Sequence, residues 1–98
     1  MKALTIAEAS MGEENPSIGI ILNHLGVLCF TQERYEDAEG YFNRMVSLWE
    51  SAFGPGHYSV SLGLSCQAEL YRAMNRDDEA TAAEERVDQI REALSPPS

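Results

Sequence analysis

The sequence predicts an all-α fold in which antiparallel helix pairs follow one another as repeats. Three observations predict it: the chain matches itself after a shift of 42 residues, apolar residues recur at helical spacing, and turn-forming residues recur at matching positions. The 98 residues make a single domain, and in such a fold each pair is buried against its neighbours. We therefore expect an α-solenoid of about two and a half repeats and five helices.

The 42-residue shift aligns identical residues without an insertion, from Glu8 with Glu50 to Glu50 with Glu92. Conservative pairs fill the positions between them, such as Ile18 with Val60. The other identical pairs are Gly12 with Gly54, Ser17 with Ser59, Leu22 with Leu64, Leu28 with Leu70, Arg34 with Arg76, Ala38 with Ala80 and Arg44 with Arg86. Each unit therefore follows the same structural plan.

The first repeat contains clear signals for the start and end of its helices. Asn15-Pro16 offers a capping side chain and a first-turn proline, which predicts a helix over residues 16–32. The polar pair Glu33-Arg34 then turns the chain. A second helix is expected over residues 35–53, because Gly54-Pro55-Gly56 prevents it from continuing.

The second repeat follows the same plan and closes the array. Its helices are expected over residues 58–74 and 77–94, with a turn at Asn75-Arg76. The last helix has a narrow apolar stripe and a charged opposite face, so we expect it to cap the solenoid. The stripe consists of Ala80, Ala83, Val87, Ile90 and Leu94.

A segment equivalent to the end of a second helix precedes the first full repeat. The expected division is a half-repeat helix at residues 2–11, repeat 1 at 16–53, repeat 2 at 58–94 and a tail at 95–98. Because arrays of this kind usually need at least three units, we expect a further neighbour. Either upstream repeats of a longer protein or a second copy would supply it.

Charge limits the classes of partner. Sixteen acidic residues against seven basic ones give a net charge of −9, which repels nucleic acid and anionic membranes. A basic or apolar protein or peptide partner suits this surface, although acidic residues also keep a helical protein soluble. No membrane-spanning run or leader peptide is visible, and Cys29 and Cys66 suit a reducing compartment, so we expect a cytoplasmic protein.

The sequence predicts no enzyme, no metal site and no cofactor. A catalytic site needs a nucleophile beside a base or a cluster of ligands, and the chain has only two histidines. His24 is the candidate metal ligand to consider, because Cys66 is its equivalent in the next repeat and both are expected to face one groove. A His and a Cys without further ligands make a poor zinc site, so packing or groove lining is the favoured role.

Two motifs of the first repeat, L-N-H-L-G-V-L-C and Q-E-R-Y-E-D-A-E-x-x-F, resemble the tetratricopeptide repeat. The matching positions are Leu22, Leu25, Gly26, Tyr35, Ala38 and Phe42, and in the second repeat Leu64, Gln67, Ala68, Asp77, Ala80 and Glu84. The 42-residue period and the linkers M-G-E-E-N-P-S-I and F-G-P-G-H-Y-S-V are similar to the kinesin-light-chain type of the family. The resemblance implies a right-handed α-solenoid that binds proteins.

The resemblance also implies a turn position with positive φ, for which the family prefers glycine. Asn75 tolerates that conformation, whereas Glu33 would adopt it at a cost of about 1 kcal/mol. Either the first turn has another geometry or it stores strain.

In tetratricopeptide proteins the first helices of successive repeats line a concave groove. By this resemblance the groove residues are Ile20, Asn23, His24, Val27, Phe30, Thr31, Leu62, Ser65, Cys66, Glu69, Arg72 and Ala73. Ile20, Val27 and Phe30 are expected along one apolar stripe of the first helix. A neighbouring stripe, expected in the core, contains Ile21, Leu22, Leu25, Leu28 and Cys29. Chaperone-binding members need an uncharged or basic donor where this chain has Glu69, so acidic chaperone tails are not expected to bind.

Two functions of different class remain open from the sequence. The favoured one is a non-enzymatic scaffold that holds a peptide or helix of a partner protein in the groove. The other is a structural module that self-assembles as a homodimer through exposed repeat faces. No motif in the sequence identifies the partner.

Overall fold

The structure of the protein, a computed structural model, describes Asn15 and residues 17–94. Every regular element in this part of the chain is a helix, so the all-α prediction is confirmed. The helices are α1 (Ser17–Thr31), α2 (Tyr35–Phe53), α3 (Tyr58–Ala73) and α4 (Asp77–Leu94). The expected fifth helix at residues 2–11, the first-turn Pro16 and the tail at 95–98 lie outside the described residues.

Polar side chains close the first turns of α1 and α3 in the same way. Asn15 Oδ1 accepts a hydrogen bond from the Ser17 N–H at 2.9 Å, and His57 Nδ1 accepts one from the Ser59 N–H at 3.0 Å. The Asn15 cap agrees with the prediction, whereas an imidazole cap is unusual and the sequence does not indicate it. The Phe53 ring stacks on His57 with 4.5 Å between ring centroids, which holds the imidazole in place.

The turns between α1 and α2 and between α3 and α4 share one backbone geometry. Glu33 and Asn75 both have a φ of 61°. In each turn the N–H of the following arginine donates to the carbonyl five residues earlier, at 2.8 Å in the first turn and 2.7 Å in the second. Each helix therefore ends with one residue in the left-handed backbone conformation, a position that usually holds glycine. Of the two alternatives for Glu33, the structure shows the strained one.

Replacing Glu33 with glycine is expected to raise the free energy of unfolding by about 0.5–1 kcal/mol. Glycine removes a steric penalty of about 1–2 kcal/mol for positive φ, and its freedom in the unfolded chain cancels part of that gain. Chemical denaturation measures the change. Asn75→Gly is the matched control, and we expect a smaller gain there because asparagine tolerates positive φ. Equal gains at both positions would contradict this explanation.

Consecutive helices pack against one another in chain order. The contacts join α1 to α2, α2 to α3 and α3 to α4, and the short turns make each repeat an antiparallel pair. The core therefore runs continuously through both pairs. Its buried members are Ile18, Leu22, Cys29, Ala38, Phe42, Met45, Val46, Leu48, Trp49, Val60, Leu64, Leu70, Val87 and Ile90. The buried stripe of α4 is narrow, as predicted, although Leu94 at its end is exposed.

Glycines allow neighbouring helices to approach closely. A Cβ added at Gly26 of α1 would overlap the Phe42 ring of α2. A Cβ added at Gly63 of α3 would lie 2.7 Å from Val46 Cγ2 of α2. The first contact lies within a repeat and the second lies between repeats, so a small residue is required at both kinds of interface.

Polar contacts also connect α2 to the second helix pair. The Gln67 amide donates to Asn43 Oδ1 at 2.7 Å, across the interface between α2 and α3. Arg76, at the turn between α3 and α4, pairs with Glu39 of α2 at 2.9 Å. Gln67 is buried, so its hydrogen bond satisfies a polar group that would be costly to bury alone. The two repeats are therefore joined by polar contacts as well as by apolar packing.

Leu28 and Leu70 occupy equivalent repeat positions but differ in exposure. Leu70 is fully buried, whereas Leu28 is 49% exposed, so the expectation that Leu28 lies in the core is wrong. Leu70 lies on the same side of α3 as Gly63 and Gln67, both of which contact α2. Among the described helices, none covers the corresponding side of α1 in the way that α2 covers α3. The burial of this position therefore depends on the preceding helix.

Candidate functional site

Four of the predicted groove residues form an exposed surface along α1 and α3. Ile20 and Val27 lie seven residues apart on α1, and Leu62 and Glu69 lie at the equivalent positions on α3. Seven residues make about two helical turns, so each pair projects from one side of its helix. Ile20, Val27 and Leu62 are 57%, 45% and 43% exposed, and Glu69 is also exposed. We call these four residues the α1/α3 surface.

Asn23 and Cys66 connect the two helices next to this surface. The Cys66 thiol donates to Asn23 Oδ1, with 3.6 Å between sulfur and oxygen. Burial raises the pKa of the Cys66 thiol, and the Glu69 carboxylate raises it further, so the thiol is a weak nucleophile at neutral pH. His24 is exposed, and the polar partner of Cys66 is Asn23 rather than His24. The described residues contain no group of three side chains suited to bind a metal ion.

Phe30 is partly buried, unlike the other two members of the predicted apolar stripe. Its ring packs on the core and meets the Tyr35 ring edge to face, with 5.6 Å between the centroids. The exposed part of the stripe is therefore limited to Ile20 and Val27. Sequence spacing within α1 does not reveal this, because the aromatic partner Tyr35 is the first residue of α2.

Arg72 and Ser65 face α4 rather than the α1/α3 surface. The Arg72 guanidinium pairs with Glu84 of α4, and its hydrogen bond lowers the pKa of the Glu84 carboxyl. Ser65 lines a cavity between α3 and α4. The two remaining predicted residues, exposed at the C-terminal ends of α1 and α3, are Thr31 and Ala73.

A largely apolar cavity of about 400 Å³ opens at one end of the α1/α3 surface. It lies where the first turns of α1 and α3 meet the last turn of α2, and we call it the helix-end cavity. Its lining consists of Ser17, Ile20, Trp49, Phe53, Ser59 and Leu62. Trp49 is 8% exposed and packed in the core, so its indole forms a fixed wall, whereas Phe53 is exposed at the rim.

Helical spacing places Trp49 and Phe53 with the apolar face of α2, so the sequence does not indicate that they line the site. The signal that would have found them is the short linker between Phe53, the last residue of α2, and Tyr58, the first residue of α3. In antiparallel pairs, the last turn of one helix lies close to the first turns of its neighbours. Since α1, α2 and α3 all contribute, both repeats are needed to form the cavity.

A second cavity, of about 410 Å³, lies between α3 and α4 and is more polar. Its lining consists of Ser65, Ala68, Glu69, Glu84, Val87, Asp88 and Arg91. Glu69 therefore borders both this cavity and the α1/α3 surface. A third cavity, of about 510 Å³, lies at the turns between paired helices, away from the predicted groove.

A family comparison covers nearly all of the described chain. The family model described as tetratricopeptide repeat matches residues 18–93, a range that includes parts of all four helices. A search of curated proteins finds no match to the chain. Within residues 17–94, no helix is both long enough and apolar enough to cross a membrane.

Proposed function

The chain belongs to the tetratricopeptide repeat family, and from this we propose that it is a non-enzymatic module that holds a peptide or helix of a partner protein along the α1/α3 surface. Repeats of this family generally mediate protein–protein interaction. The observation that supports the proposal most directly is the exposure of Ile20, Val27 and Leu62 on one surface. Apolar side chains grouped in this way gain free energy when a partner covers them.

The handedness of the array, the type of repeat and the location of the protein are part of the same proposal. We propose a right-handed solenoid with a concave groove, built from repeats of the kinesin-light-chain type, in a cytoplasmic protein. The 42-residue period and the two similar linkers support the repeat type. The net charge of −9 favours a basic or apolar partner over nucleic acid or an anionic membrane.

Selection from a displayed library of random peptides tests the proposed site. Peptides selected by the wild-type protein are expected to bind Leu62→Glu at least about ten-fold more weakly, because a charge replaces an apolar contact. Leu94→Glu is the matched control, since Leu94 is also an exposed leucine, at the end of α4. Selected peptides that bind the wild-type protein and Leu62→Glu equally would contradict the proposal.

An acidic carboxy-terminal pentapeptide is expected not to bind. The net charge of −9 repels it, and Glu69 adds negative charge at the α1/α3 surface. Isothermal titration calorimetry at low salt measures the interaction under the conditions that favour charge effects most. Binding with a micromolar dissociation constant would overturn this part of the proposal.

Self-assembly is the second candidate function, and the exposure of Leu28 favours it. A second copy that covered this side of α1 would bury Leu28 as Leu70 is buried in the second repeat. Light scattering after size exclusion would then give the mass of a dimer, and Leu28→Glu would give the mass of a monomer. A monomeric wild-type protein at high concentration would rule this candidate out.

A further inference from the structure

We propose that the segment held by the α1/α3 surface is extended and carries an apolar and a basic side chain three residues apart. The apolar side chain occupies the helix-end cavity, and the basic side chain pairs with Glu69. This inference rests on the function proposed above and adds the chemical class of the ligand. Four features of the structure lead to it.

The first feature is the chemistry of the helix-end cavity. Its lining consists of the Trp49 indole, the Phe53 ring, two aliphatic side chains and two serines, and its volume of about 400 Å³ exceeds that of one large apolar side chain. The cavity lies at two helix N-termini, which ordinarily attract anions. Here Asn15 and His57 already accept hydrogen bonds from first-turn N–H groups. The cavity therefore suits an apolar side chain better than a phosphate or carboxylate.

The second feature is the charge at the other end of the surface. Glu69 is exposed, and Arg72, the cation one turn further along α3, is bound by Glu84. Asp88 of α4 lines the adjoining cavity and adds negative charge, while Arg91 in the same wall offsets part of it. A lysine or arginine of the partner can therefore pair with the Glu69 carboxylate, which Arg72 does not neutralise.

The third feature is the distance between the two subsites. Leu62 at the cavity rim and Glu69 are seven residues apart on α3, which corresponds to about 10.5 Å along the helix. In a polyproline II segment, side chains three residues apart project from the same side and are about 9.3 Å apart. In a β-strand, side chains on the same side are about 6.7 or 13 Å apart, which fits less well.

The fourth feature is the polar contact between α1 and α3. Asn23 Oδ1 accepts a hydrogen bond from the Cys66 thiol at 3.6 Å, so a polar side chain lies between the two subsites. A partner helix pairs its own backbone N–H and C=O groups internally, so it offers Asn23 no backbone partner. An extended segment is thinner, and its backbone has unpaired N–H and C=O groups. The Asn23 amide is placed to bind one of them, because an amide has both donor and acceptor capacity.

Fluorescence anisotropy with labelled peptides tests this inference. The probe peptide contains Leu-Pro-Pro-Lys, and the comparison peptides replace Lys by Glu, replace Leu by Ser, or change the spacing to two or four residues. Both chain directions, Leu-Pro-Pro-Lys and Lys-Pro-Pro-Leu, are measured, and the tighter one serves as the reference. We expect the reference peptide to bind about three- to ten-fold more tightly than its Glu version, and the difference to shrink in high salt.

Charge exchange on the protein gives the decisive control. Glu69→Lys is expected to reverse the preference, so that the Glu peptide binds more tightly than the Lys peptide. Glu85→Lys makes the same charge change at an exposed position of α4 outside the lining of both described subsites, and it should leave the preference unchanged. Equal effects of the two substitutions would overturn the assignment of Glu69.

The outcomes separate this inference from the proposed function. If library peptides bind in a Leu62-dependent manner but the spacing and charge of the probe have no effect, the proposed function stands and the inference is wrong. If peptides with the two side chains seven residues apart in a helix bind more tightly than the reference, the extended conformation is wrong. If no peptide binds in a Leu62-dependent manner, the proposed function itself is wrong.

Discussion

Leu70→Ala is expected to lower the free energy of unfolding by about 3–5 kcal/mol, whereas Leu28→Ala should lower it by about 1 kcal/mol or less. The two leucines occupy equivalent positions in consecutive repeats, and the chemical change is identical. Leu70 is fully buried, so truncation removes apolar burial and leaves a cavity. Leu28 is 49% exposed, so truncation removes fewer contacts and creates no enclosed void.

Urea denaturation of the two variants and the wild-type protein measures these losses. The slope of the free energy against denaturant should stay the same for all three proteins, which shows that the same surface unfolds. Each leucine serves as the control for the other, because helix propensity changes equally at both positions. Similar losses at the two positions would contradict the difference in burial.

Gly26→Ala is expected to destabilise the protein by about 1–3 kcal/mol, although Gly40→Ala should stabilise it by about 0.5–1 kcal/mol. Alanine favours a helix over glycine at both positions. At Gly40 of α2 the added methyl group meets no atom within 4 Å, so this preference is the main effect. At Gly26 the methyl group overlaps the Phe42 ring, which is 2% exposed and enclosed by the core.

Thermal and chemical denaturation of the two alanine variants should therefore give changes of opposite sign. A double variant, Gly26→Ala with Phe42→Leu, tests the cause, because the smaller side chain leaves room for the added methyl group. We expect the double variant to be more stable than the sum of the single changes predicts, by about 0.5–3 kcal/mol. Strict additivity would show that the Phe42 ring is not what alanine at position 26 displaces.

The helices and turns could be predicted from the sequence because their causes are local. Helical spacing of apolar residues, capping side chains and glycine-rich linkers act within a few residues, and the 42-residue register applies the same signals twice. The positive φ at Glu33 was one of two alternatives, and it followed from the resemblance to the tetratricopeptide repeat rather than from helical spacing. Asn75, at the equivalent position, shows the geometry that the turn adopts in both repeats.

The candidate site could be predicted only in part, because exposure depends on residues far away in the sequence. Ile20, Val27 and Leu62 are exposed on one surface, and their assignment to a binding groove stays a prediction. Phe30 is partly buried and Arg72 is paired, since their partners come from the first residue of α2 and from α4. The helix-end cavity is formed by the ends of three helices, and the periodicity within a single helix does not predict where these ends come together.

The hydrogen bond between the buried Gln67 amide and the exposed Asn43 side chain also favours one axial position of one repeat against the next. A slide of α3 along α2 by one turn would separate these amides by about 5.4 Å and leave a buried polar group unpaired, at a cost of about 1–3 kcal/mol. Apolar contacts alone resist such a slide less selectively, because similar side chains recur at each turn. The hydrogen bond therefore favours one register of α3 along α2, the one in which the Gln67 and Asn43 amides are paired.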